Sequence, residues 1–226
     1  MTDADAQPAG IDYRRLYEFR FQQVAQGARQ GVWNEIAGWL HRALGRPERV
    51  LDPAAGRGEF ISSVPATERW AVDLVDHDSE EWHPEVKRIV GDIRSVDLPD
   101  AYFDGILVSN LLEHFASQEE VAAFLARMLR CLQPGGRIAA LGPNFRYCMR
   151  AYFDCADHTI ALTHVSVAEH LYAAGFEVER VIPRFLPYSF RGRMPRSPWL
   201  VRAYLRFPIA WRLMGRQFLL IGRAPG

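Results

Sequence analysis

A chain of 226 residues with 49% hydrophobic and 24% charged content has the material for one packed domain and little for a second. Its three cysteines, Cys131, Cys148 and Cys155, form no CxxC pair, which argues against a disulfide framework and for a reducing, cytoplasmic setting. The net charge of zero conceals a split: Pro183 to Gly226 hold nine arginines and no acid, so residues 1–182 carry a formal charge of −9.

The leader, MTDADAQPAGID, is acidic and polar, unlike a signal or transit peptide, and no apolar run reaches the 18 residues or so that a membrane span needs. Residues 13–44 carry a helical apolar spacing (Leu16, Phe19, Val24, Trp33, Ile36, Leu40, Leu44), stopped by Gly45 and Pro47. A strand is predicted at 49–53, then a helix from about 58. WAVDLV (70–75), KRIVGD (87–92) and FDGILVSN (103–110) read as strands, the last with the continuously apolar centre of a buried parallel strand. An amphipathic helix follows at 118–132, a turn at 133–136 and a strand at 137–142. Residues 166–183 read as helix, glycine stop and strand, and 217–224 as a last strand. Strands alternating with helices predict an α/β fold with a mostly parallel sheet, whose ligand crevice lies beyond the carboxyl ends of the strands. Asp52, Asp73, Asp92 and Asn110 stand at those ends.

The first strand enters the turn VLDPAAGRGEF, which lets a ligand approach the backbone closely. A nucleoside-triphosphate loop requires GxxxxGK[ST], and no lysine is present. The dinucleotide fingerprint GxGxxG fails in both registers: Gly56 and Gly58 are followed by Ile61, and Ala54 and Gly56 by Glu59, an acid that would repel a pyrophosphate.

Asp52-Pro53-Ala54-Ala55-Gly56-Arg57-Gly58 instead resembles motif I of the class I S-adenosylmethionine-dependent methyltransferases, and Glu113-His114-Phe115 resembles a pattern frequent in their small-molecule and lipid-type members. Asp73 matches the acid that ends their second strand and holds the ribose hydroxyls, with Leu74 next to it, and Asp92 with Ile93 matches the adenine-binding pair after the third. FDGILVSNLLEHF, LQPGGRIAALGPN and LYAAGFEVERV follow in the family's order, so the resemblance spans roughly residues 48–183. It implies a Rossmann-like, doubly wound, seven-stranded sheet with an antiparallel last strand, and S-adenosylmethionine at Asp52, Ala54, Gly56, Gly58, Asp73, Leu74, Asp92, Ile93 and Asn110. DPAAGRG also resembles the motif of adenine-N6 DNA methyltransferases. Those enzymes carry an Asn/Asp-Pro-Pro-aromatic motif after the fourth strand, where this chain has Ser109-Asn110-Leu111-Leu112, so nucleic acid is not expected as a partner.

A methyl acceptor needs a base only if it must lose a proton. His114, in Glu113-His114-Phe115, is the candidate for that base or for an acceptor-orienting group, with a loop-holding histidine as the plain alternative. Asn144, Tyr147, His158 and His164 are candidate acceptor-pocket residues. The spacing of His158, His164 and His170 matches no zinc signature, so no metal is expected. The domain plan is a single domain: an N-terminal helical extension (1–46), a cofactor core (48–183), a basic aromatic insertion (184–216) and a last strand (217–224). The insertion has two readings, a lid between the last two strands that packs its aromatics on the domain and exposes its arginines, or a surface for peripheral contact with the inner face of an anionic membrane; Pro195, Pro198 and Pro208 break any long helix in it. The rival functions are an NAD-dependent oxidoreductase and a non-catalytic, membrane-associated protein that retains the fold.

Overall fold

The computed structural model describes residues 11–21, 27–77, 82–188 and 197–226. The expected helix over 13–44 is two helices, α1 (Tyr13–Phe21) and α2 (Gly27–Ala43); Val24 and the leader to residue 10 lie outside the described residues. There follow β1 (Arg49–Asp52), α3 (Glu59–Ser63), β2 (Glu68–Asp73), β3 (Val86–Val90), β4 (Phe103–Ser109), a 3-10 turn (Leu112–His114), α4 (Gln118–Cys131), β5 (Leu132–Pro143), α5 (Phe145–Tyr152), α6 (His164–Ala173) and β6 (Glu177–Ile182). The helices α7 (Pro198–Arg206) and α8 (Pro208–Met214) and the strand β7 (Gln217–Arg223) complete the chain.

The seven strands form one sheet in the order β3-β2-β1-β4-β5-β7-β6. All neighbours pair in parallel except β7, which runs antiparallel to both β5 and β6, as the resemblance implies. The chain winds outward from β1 to β3 and then restarts at β4 on the other side of β1, so β1 and β4 flank the topological switch point.

Local chemistry sets several boundaries more tightly than periodicity does. β1 stops at Asp52 because Pro53 has no N–H to give to a ladder. β2 stops at Asp73, whose Oδ1 accepts from the Val75 N–H at 3.0 Å and so closes a turn. β4 stops where Asn110 adopts a left-handed φ of 50°. The turn expected at 133–136 is instead a kink inside β5, where Gly135 takes a φ of 79°. Pro198 and Pro208 each sit at the first turn of a helix, a position that needs no N–H donor.

Helices cover both faces. On one, α4 buries Val121, Phe124, Leu125 and Met128 at helical spacing against the sheet, each worth roughly 1.5–3 kcal/mol of apolar burial. On the other, α2 buries Trp33, Ile36, Ala37 and Leu40, with Leu44 buried just past its end, while Phe19 of α1 is exposed rather than part of this stripe. α7 crosses α2 at Gly31, where a Cβ would lie 2.8 Å from Pro198 Cγ. Trp211 of α8 joins Trp39 and Phe185 in an aromatic cluster beneath it.

Candidate functional site

A cavity of about 700 Å³ opens at the carboxyl ends of β1, β2 and β4, as the crevice rule expects. Its first half is acidic. Asp52, Ala54, Gly56, Asp73, Leu74 and Glu59 line it, with Asp92, Ile93 and Asn110 on the adjoining wall. Gly56 takes a φ of 54°, and nothing lies within 4 Å of where its Cβ would be, so the turn exposes backbone to the cavity. Its N–H donates to Asp73 Oδ2 at 2.7 Å, which fixes the turn and the carboxylate together. Asp52 is 3% exposed and accepts one bond, from the Ala54 N–H at 3.3 Å. Burial pushes its carboxyl up to about 8, and the Asp73 and Glu59 charges add to that against the Ala54 bond. Such a pocket favours a cationic ligand and resists a phosphate.

Two cofactor candidates are placed differently from expectation. Gly58 does not line the cavity; its φ of 77° starts α3, and Trp82 occupies the space a Cβ would need, with ring atoms at 2.5–2.8 Å. Asp92 lines the cavity, but Arg94 Nε (2.9 Å) and Nη2 (2.6 Å) donate to its Oδ2. Those bonds hold its carboxyl below the usual range even though burial opposes them, so Asp92 is an ion-pair partner rather than an uncommitted acceptor.

The second half is assembled from distant segments. Glu113 and His114 come from the 3-10 turn after β4, and Cys155, His158 and Thr159 from the loop after α5. The Glu113 carbonyl accepts from the Thr159 N–H (2.9 Å) and Oγ1 (3.1 Å), which ties the two segments. His114 Nδ1 lies 2.8 Å from the Asp157 carbonyl; a carbonyl only accepts, so Nδ1 donates there and Nε2 is the ring nitrogen left for another partner. Glu113 is buried and its carboxyl is pushed up by desolvation. His158 is pushed down to about 4, first by desolvation and then by His114, and is a neutral imidazole at neutral pH.

Asn144, Tyr147 and His164 do not line this cavity. Asn144 Nδ2 lies 2.9 Å from His164 Nδ1 and donates to the Pro183 carbonyl at 2.8 Å, and Tyr147 stacks on His164. These three fasten β5, α6 and the exit of β6 together; adjacency in sequence to the cavity loop does not carry them into it. Of the described residues of the insertion, Tyr188 and Arg216 at its two ends line the cavity, whereas none of 197–214 does, because α7 and α8 pack on α2 and the far face of the sheet.

The cover comes from α1, which the sequence reading left without a role. Tyr13, Tyr17 and Arg20 lie one or two turns apart on a single helical face and line the cavity. Burial, then the charges of Asp157 and Asp73, push the Tyr17 hydroxyl upward. Arg20 forms an ion pair with Asp157, and although burial opposes it, Arg20 and then His114 hold that carboxyl below its usual range. The aromatic-basic face of α1 was a signal available in the sequence.

Residues 51–140 match the family model of a methyltransferase domain. A probable S-adenosylmethionine-dependent methyltransferase of Mycolicibacterium smegmatis is 30% identical over 178 residues, which cover 75% of this chain and 63% of that protein. The chain spans less than two thirds of the length of the curated relatives it matches. Among solved structures, an S-adenosylmethionine-dependent methyltransferase of Archaeoglobus fulgidus aligns with a TM-score of 0.63 at 18% identity, over 94% of this chain and 100% of that one. The 1,6-didemethyltoxoflavin-N1-methyltransferase of Burkholderia thailandensis aligns at 0.57 and 22% identity, over 99% and 94%. These structural likenesses establish the shared fold.

Proposed function

The chain carries a class I S-adenosylmethionine-dependent methyltransferase domain, and from that premise we propose that it methylates a small-molecule or lipid-like acceptor. The observation that carries the reading is the acidic half-cavity around Gly56. Three carboxyl residues, Asp52, Glu59 and Asp73, line it at a turn whose backbone is open to the ligand. An S-adenosylmethionine brings a sulfonium and an ammonium to those acids, and no phosphate. A nicotinamide dinucleotide would set a pyrophosphate against the same three groups, so the oxidoreductase reading is not favoured.

In this reading Asp73 accepts from the ribose diol, Gly56 and Ala54 offer backbone to the amino-acid part, and Leu74 and Ile93 flank the adenine. Asp92 serves the adenine edge only if Arg94 shares it, and Gly58 acts by shaping the turn. Asn110, left-handed at the end of β4, lies between the two half-cavities. When bound, the cofactor supplies a methyl carbon already activated by its sulfonium. The chain's own contribution is alignment and exclusion of water, which accounts for much of the rate of such a transfer. His114 offers Nε2 toward the acceptor space, because the Asp157 carbonyl fixes its Nδ1 proton, and so orients or deprotonates an acceptor group. Asn144, Tyr147 and His164 support the scaffold and are not assigned to the acceptor.

The outer face of α7 and α8 supports peripheral membrane contact. Trp199, Phe207, Ile209 and Leu213 are exposed there beside Arg206 and Arg212, a composition suited to an anionic surface on the cytoplasmic side. Arg202, by contrast, is bonded in bidentate fashion to Glu35 of α2 (2.9 and 2.5 Å). No helix among the described residues is long and apolar enough to cross a membrane. Flotation with anionic vesicles tests this contact: Ile209→Ser/Leu213→Ser should reduce binding, and equal flotation of the variant and the native chain would exclude this face.

The cofactor reading predicts that S-adenosylhomocysteine raises the melting temperature of the protein. Asp73→Ala should abolish that rise while leaving the unliganded chain folded. A native chain that shows no shift with either form of the cofactor would overturn the proposal.

A further inference from the structure

Glu113, His114 and His158 form a cluster that methyl-donor binding does not use. Glu113 Oε1 lies 3.9 Å from His114 Nε2 and 3.9 Å from His158 Nε2, and the three donor atoms are all within 4.8 Å of one another. At 3.9 Å neither imidazole makes a hydrogen bond to the carboxylate. Among the described residues these two rings are the only ionic partners of Glu113 within 4 Å, although its side chain is 2% exposed. His158 Nδ1 is likewise buried with no hydrogen-bond partner among them. A buried carboxyl facing two imidazole nitrogens without a hydrogen bond between them is costly as packing and well suited to ligation.

The geometry points to a divalent transition-metal site, of the Zn²⁺ type, built from Glu113 Oε1, His114 Nε2 and His158 Nε2. Two imidazoles and one carboxylate are a donor set that holds such an ion while leaving positions open. Bond lengths of about 2.0–2.1 Å put tetrahedral ligand atoms roughly 3.3 Å apart, so side-chain adjustments on the order of 1 Å close the triad. The outer shell is in place on His114: donating Nδ1–H to the Asp157 carbonyl presents Nε2 to the ion. A second donor group, Cys155, Asp157 and His158, is less available: Asp157 is committed to Arg20, and the Cys155 thiol lies against Tyr188 Oη at 3.6 Å.

All three ligands line the cavity, so the open positions face the acceptor half. Resting on the methyltransferase reading, the ion would take the His114 Nε2 lone pair, and with it that residue's orienting or base role, and would seat an oxygen of the acceptor, which makes hydroxyl or carboxylate compounds the favoured class. The spacing of His158, His164 and His170 hid this site. It takes one member of that series and draws the other two ligands from the turn after β4.

The test is Co²⁺ and Zn²⁺ binding to the full-length, chelator-stripped protein, read by visible absorption and by metal content after desalting. The native chain should bind one equivalent and give cobalt ligand-field bands without a thiolate charge-transfer band. Glu113→Gln and the double variant His114→Gln/His158→Gln should lose at least about 100-fold in affinity, since even outer-shell changes cost 10–100-fold. His170→Gln, on the outer side of α6, should bind as the native chain does. The thermal shift with S-adenosylhomocysteine shows that each variant is folded, and it separates the two proposals. A native chain that responds to S-adenosylhomocysteine but binds no Co²⁺ overturns the metal site alone. Undiminished binding by the double variant, or a thiolate band lost in Cys155→Ser, overturns this donor set.

Discussion

Asp52, which lines the cofactor half of the cavity, and Asp157, which lies behind Arg20 and His114 of the other half, are both buried, yet their surroundings treat them in opposite ways. Asp52 has acids for neighbours and one backbone N–H, so burial pushes its carboxyl up to about 8. Asp157 has Arg20 and the His114 ring, which outweigh burial and hold its carboxyl low. The cofactor half thus leaves its charge to be met by a ligand, whereas the acceptor half meets its charge with a residue of α1. One end is built to receive a cation, and the other is closed by a strut.

The strut should produce the largest effect. Arg20→Met leaves the Asp157 carboxylate buried and unpaired, and such losses cost about 3–5 kcal/mol. Because Arg20 is itself 16% exposed, the expected loss is about 3 kcal/mol, read as the free energy of urea unfolding. Arg20→Met/Asp157→Leu should recover most of it, because removing both charges leaves nothing uncompensated. A single-variant loss below about 1 kcal/mol would mean that the pair behaves as a surface contact and that α1 is not anchored by it.

The cofactor half breaks by backbone geometry instead. Gly58→Ala places a Cβ at a φ of 77° and against the Trp82 ring. The left-handed conformation costs about 1–2 kcal/mol, and displacing the ring brings the expected loss to about 2 kcal/mol in the same unfolding measurement. Gly56→Ala meets open space, so it should cost less stability and show instead as a weakened thermal shift with S-adenosylhomocysteine. If the two variants lose stability equally, the assignment of Gly58 to packing and Gly56 to the ligand fails.

This contrast also explains what the sequence made legible. Asp52 and Asp73 each end a strand and Asp92 lies two residues past β3, and in a parallel sheet the ends of successive strands meet at one edge, so periodicity plus the crevice rule locates them. The acceptor half depends on which loop folds over which. Asn144, Tyr147 and His164 are near His158 in sequence, but Asn144 bonds to the Pro183 carbonyl and Tyr147 stacks on His164, behind the cavity. Arg20 lies 137 residues from its partner Asp157, and no local pattern announces that pairing. In the insertion, likewise, no local pattern announces that Arg202 pairs with Glu35, 167 residues away, or that α1 lines the cavity where 197–214 does not.

The pH dependence of Asp52 tests the comparison most directly. Its carboxyl titrates near 3.8 when unconstrained and near 8 in the fold. Between those values the folded chain holds a proton that the unfolded chain has released, so this group's contribution to stability is full below the lower value and is lost as pH rises toward the upper one. One proton corresponds to about 1.4 kcal/mol per pH unit. Asp52→Asn cannot titrate, so unfolding free energies of native chain and variant should diverge by about that slope between about pH 5 and about pH 7, the native chain falling relative to the variant. Saturating S-adenosylmethionine should flatten the native slope, because a cation beside Asp52 favours the carboxylate and lowers its folded-state value. A pH-independent difference without cofactor would show Asp52 charged in the empty fold, and the two ends of the cavity would then no longer differ in how they meet a buried acid.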